Sequence, residues 1–136
     1  MIYWLKKLPM QDKATYEFAV IRLVPKVERD EFINIGVILF SKPKKYLGMR
    51  YQVDEKRIRA FSDDVDIEAV KDYLAAWERI CQGAPEGGEI GKLPLPERFR
   101  WLVAARSTII QSSETHPGLC RDPEEVLESL FRRYVL

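Results

Sequence analysis

Six positions in the first half of the chain have the types and spacing to do chemistry at a surface: Arg22, Glu31, Asn34, Gly36, Arg50 and Gln52. Guanidinium and amide groups are planar donors suited to carboxylate or phosphate oxygens, and a glycine lets a ligand approach the backbone closely. If Asn34 and Gly36 share one face of a sheet with Arg50 and Gln52, a row of donors meets a gap in the side-chain layer, an anion or partner site that Arg22 joins in a suitable strand register. The same residues fit a bracing role, in which Arg22 pairs with Glu31 and Gly36 is covered by a helix or by the N-terminal segment with Trp4. The brace is the expectation, because an exposed sheet without a groove holds small ligands weakly. No two carboxylates are placed as general acid and base, so no catalytic residue is assigned.

Other clusters carry less. Gly91 and Lys92 lack the second glycine and the Ser or Thr of a phosphate loop, since Glu86 and Leu93 stand there, and no three glycines have dinucleotide-binding spacing. One histidine, His116, and two cysteines, Cys81 and Cys120, make no tetrahedral zinc set, and Pro117 with Gly118 in HPGLC reads as a turn. Asp63, Asp64, Asp66 and Glu68 suit a helix start better than a cation site. Lys42, Lys44, Lys45 and Arg98, Arg100, Arg106 read as solvated faces rather than phosphate contacts. No metal and no cofactor is therefore expected.

These residues must be positioned by three strands. From Tyr16 to Val24 both alternating faces are apolar except at Arg22, the pattern of a central strand, and Pro25 ends it. After an exposed connection at 26–30, Ile33, Ile35, Val37 and Leu39 form a core row in a second strand, and Leu47, Met49, Tyr51 and Val53 alternate in a third. Three strands in succession predict an antiparallel meander. The period then changes. DEKRIRAF predicts a helical turn, and Ile67, Val70, Leu74, Trp77 and Cys81 stripe a helix closed by Gly83. GAPEGGEIGKLPLP reads as a surface loop, PERFRWLVAAR as a helix and STIIQSS as a short strand. Asp122 and Pro123 then open a helix with Leu127, Leu130, Phe131 and Tyr134 on one face. The expected architecture is α+β: an antiparallel sheet of three or four strands with helices mainly on one face.

With 136 residues, 46% hydrophobic and 32% charged, one domain spanning 1–136 is expected, with residues 1–14 as a loosely attached N-terminal segment. A net charge of +1 gives no field that recruits nucleic acid or an anionic membrane. Two cysteines without a leader pattern, and no apolar stretch long enough for a bilayer, predict a cytoplasmic protein with reduced thiols.

The stretch IRLVP with Arg22 and Pro25, then Glu31, Asn34, Gly36 and Val37 in EFINIGVILF, resembles an uncharacterised bacterial family, domain-of-unknown-function family 3037. Asp122, Pro123 and Phe131 in the tail fit it as well, whereas Asp30 stands where a small residue is expected. The resemblance implies no established reaction. It implies a bacterial setting in which such genes often lie beside one for a HipA-like kinase, hence a partner or regulator of that protein. The leading expectation is a non-catalytic interaction module. The alternatives are a small metal-dependent enzyme acting on nucleotides or nucleic acid through Arg22, Glu31 and Asn34, and a homo-oligomer assembled through an edge strand.

Overall fold

A computed structural model describes residues 13–136. Expectations for the first twelve residues, including cover by Trp4, lie outside the described residues. Strands β1 (Ala14–Leu23), β2 (Ile33–Ser41) and β3 (Tyr46–Tyr51) form the expected antiparallel meander, with β1 and β2 joined through a 3-10 turn at Val27–Arg29. That turn closes with Asp30 at φ 57°, a left-handed conformation that aspartate tolerates better than most residues, which accounts for its standing where a small residue was expected.

On its other side β1 pairs with two short strands set end to end, β4 (Ile110–Ser112) and β5 (His116–Cys120), so the α+β sheet has five strands. HPGLC is thus a strand and not a turn. Pro117 is tolerated because β5 lies at an edge, and Gly118 leaves room for the Tyr16 ring, which lies over it from β1. Between the two pieces Ser113 keeps the ladder closed: its N–H donates to Val20 O and its Oγ accepts from Val20 N–H, both at 2.8 Å.

The helices are α1 (Glu55–Phe61), α2 (Ile67–Gln82), α3 (Gly88–Gly91), α4 (Leu95–Val103) and α5 (Pro123–Tyr134). Asp54, Asp66 and Asp122 accept backbone N–H groups at the starts of α1, α2 and α5. Ile58, Val70, Leu74, Trp77, Phe99 and Leu102 from α1, α2 and α4 bury one sheet face, meeting Ile21, Leu23, Ile38 and Phe40. Leu127, Leu130 and Phe131 of α5 cover the other, meeting Phe18, Val20, Val37 and Leu39. Both faces of β1 are therefore apolar because helices lie on both sides. The Gly/Pro-rich stretch folds back on the end of α2 rather than looping free. A Cβ at Gly91 would lie 2.9 Å from the Gly83 carbonyl carbon, and one at Gly87 would lie 2.9 Å from Arg79 O, so only glycine permits this backbone contact.

Candidate functional site

The six residues picked from sequence do not form one site. A bulge separates them: Ile21 pairs with Gly36 but Arg22 pairs with Asn34, leaving Ile35 without a counterpart. The extra residue reverses the alternation, so Asn34 faces α5 while Gly36 faces the α2 side. There a Cβ on Gly36 would fall 2.8 Å from Arg50 O and 2.9 Å from Tyr51 Cβ, so this glycine is filled by its neighbours and offers no gap.

Arg50, across from Val37, lies on the α5 face, its Nη1 3.0 Å from Glu128 Oε1 and its guanidinium 4.9 Å from the Phe131 ring centre. It braces α5. Gln52 is exposed beyond β3, and its backbone N–H donates to Ile35 O at 2.9 Å. Glu31 pairs with Arg29 and not with Arg22, which corrects the expected brace. The two acidic and basic partners sit two residues apart in the connection, whereas Arg22 lies on the sheet face.

What remains is a strip at the end of β1 and β2. Arg22 is flanked by Asn34 on β2 and by Gln111 on β4. Its guanidinium lies 4.1 Å from the centre of the Phe32 ring, a cation–π stack, and its buried Nε has no hydrogen-bond partner among the described residues. Asn34 Nδ2 donates to Tyr134 O (3.1 Å) and Gln111 Nε2 to Thr108 O (2.9 Å), so both flanking amides turn their donors onto backbone. Arg57 reaches round the end of β2, with Nη1 2.8 Å from Val135 O and 3.4 Å from Asn34 O. Asn34 and Arg57 thereby satisfy two carbonyls at the C-terminus of α5 that the helix itself leaves open. Phe32 is 44% exposed, Tyr134 36% and Leu136 67%, giving the strip an apolar rim.

The other clusters are spent on structure. Arg98 donates to Ile80 O, Cys81 O and Leu93 O and closes α2; Arg100 makes a paired contact with Glu17 at 3.0 and 2.8 Å; Arg106 packs against Trp77 and Trp101. Asp66 caps α2 and Asp64 lies 3.4 Å from Lys26. That pair borders a cleft of ≈ 260 Å³ between the β1–β2 and α1–α2 connections, which Glu31 and Asp63 also line. Among the described residues no three His, Cys, Asp or Glu side chains gather to hold a metal ion, and no helix is long and apolar enough to cross a membrane. Burial pushes the Cys81 thiol up to about 12, against the nearby Arg98 charge, so it stays protonated and unreactive at neutral pH.

The family model described as a protein of unknown function, DUF3037, matches residues 18–135. The chain belongs to this family. The match takes in the Arg22 strip, the bulge and the whole of α5. No curated protein and no solved structure matches this DUF3037 member.

Phe32, Arg57, Gln111 and Tyr134 were missed from sequence. Phe32 alone carried a local signal, an aromatic residue just ahead of the strand bearing the core row. The others are brought to Arg22 by pairings across 78 to 100 positions or by a helix end, which no local spacing encodes.

Proposed function

We propose that this DUF3037 protein is a non-catalytic interaction module whose contact surface is the Arg22–Phe32 end of the sheet. The observation that carries the reading is the stack of Arg22 on the half-exposed Phe32 ring, rimmed by Tyr134 and Leu136. Arginine and aromatic side chains held rigid beside apolar surface are the groups that dominate binding energy at protein interfaces. The strip brings together guanidinium, amide and aromatic side chains, a set suited to docking. A bacterial, cytoplasmic HipA-like kinase encoded beside the gene is the first partner to test, on the strength of the family resemblance.

Calorimetry and pull-down of the purified chain with that kinase test the reading. The expected dissociation constant is about 10 μM or tighter, weakened roughly tenfold or more by Phe32→Ala with thermal unfolding unchanged. Absence of association removes the kinase as partner, and full affinity in the variant removes the Arg22–Phe32 end as the contact surface.

A further inference from the structure

We infer that the Arg22 strip recognises a side-chain carboxylate, presented by an acidic, apolar-flanked segment of the partner protein. This rests on the interaction reading and adds the chemistry of what is recognised.

Among the described residues Arg22 has no ion-pair partner. The ion pairs among the described residues use Lys26, Arg29, Arg50, Arg59, Lys71, Lys92 and Arg100, and none uses Arg22 or Arg57. Both arginines border Asn34. Arg22 stands across from it, and Arg57 touches only its main-chain oxygen and that of Val135. Glu31, the carboxylate expected to pair with Arg22, is bound to Arg29, and Glu17, on the same strand as Arg22, is bound to Arg100. Among the described residues, two positive charges outside any ion pair at one end of a sheet make a local cationic excess.

The geometry favours a planar anion. Contact with the Phe32 ring at 4.1 Å and burial of Nε restrict the Arg22 side chain, so less rotamer freedom is lost when an acceptor arrives, and a guanidinium fork suits the two oxygens of a carboxylate. Asn34 and Gln111 spend amide donors on backbone carbonyls, which leaves Arg22 as the donor facing an incoming acceptor. The exposed Phe32, Tyr134 and Leu136 supply apolar surface beside the charge. Peptide segments carry carboxylates and apolar side chains together; a nucleic-acid strand also brings stacking bases beside its phosphates, but a net charge of +1 gives the chain no basic field to hold one.

The test is fluorescence anisotropy on the full chain with three fluorescein-labelled probes: a peptide alternating glutamate and leucine, its glutamine-for-glutamate counterpart, and an oligothymidylate of equal length. The acidic peptide binds, and the other two bind roughly tenfold more weakly or worse. Arg22→Gln loses roughly tenfold or more of that affinity, and Arg22→Lys, which keeps the charge without the fork, restores only part of it. Equal binding of the glutamine peptide, preference for oligothymidylate, or full affinity in Arg22→Gln overturns the inference. If Arg22→Gln does not fold, Phe32→Leu serves in its place, and unchanged acidic-peptide affinity there overturns it equally. Kinase association that survives Arg22→Gln discards the carboxylate and leaves the interaction module standing. Capture of the acidic peptide at Arg22 without kinase association discards that partner alone.

Discussion

The two faces of the sheet are covered by unequal means. On one, α1, α2 and α4 spread over the full width and the buried residues are apolar throughout. On the other, among the described residues, lies α5 alone, packed on β2 and β3 and reaching Phe18 and Val20 of β1. A helix is about 10–12 Å across, whereas four strand positions at ~4.8 Å spacing span about 14 Å. One helix is too narrow for this sheet. The uncovered margin is where Arg22, Gln111 and Phe32 come to the surface, and Asn34 and Arg57 fasten the end of the single helix beside it. A face sealed by several helices becomes core, and a face covered by one leaves a margin free for binding.

That contrast can be broken by mutation. The largest effect is expected from Phe99→Ala on the sealed face, where a fully buried ring stacks on Phe40 at 5.1 Å; it costs about 3–5 kcal/mol in denaturant unfolding. Phe131→Ala beneath α5 should cost less, and an equal loss would erase the distinction between the faces. Next comes Gly91→Ala, whose new Cβ meets backbone that cannot give way, at about 1–3 kcal/mol. Gly118→Ala should be milder, because the atom met there belongs to the movable Tyr16 ring.

Asn34→Ala should cost about 1 kcal/mol and speed hydrogen exchange in the last turn of α5 while the α2 amides stay protected. Uniform loss of protection would show that the helix end is no separate unit. The smallest effect is alkaline. Burial, helped by Glu124, pushes Tyr46 from its ordinary 10.0 up to about 12 beside α5. The folded chain therefore keeps this proton after the unfolded chain has lost it. Its contribution is fully present below pH about 10 and declines as pH rises toward 12. Tyr46→Phe should flatten that part of the pH profile, and an unchanged slope would reassign it.

The sheet was legible because its signals are local. Two-sided apolar patterning made Tyr16–Val24 central, Pro25 ended it, and aspartate caps marked the helices. Strand β5 was hidden because Pro117 and Gly118 are turn residues in isolation, and only the edge position and the Tyr16 ring make them strand residues. For the site, alternation put Asn34 and Arg50 on one face, where both meet α5, but placed Gly36 there as well. A bulge at Ile35 leaves no mark in a run of β-branched residues, since Ile33, Ile35 and Val37 read as one row whether or not the chain slips.

The serine splice between β4 and β5 has a consequence for how copies of this chain meet. A strand arriving at that edge finds two rails of three and five residues interrupted where Ser113 turns its hydroxyl inward, and Pro117 withholds one amide from the second rail. Neither rail is long enough to template a continuous ladder, so the margin beside the cationic strip is protected against zipping onto its own kind while staying open to side chains.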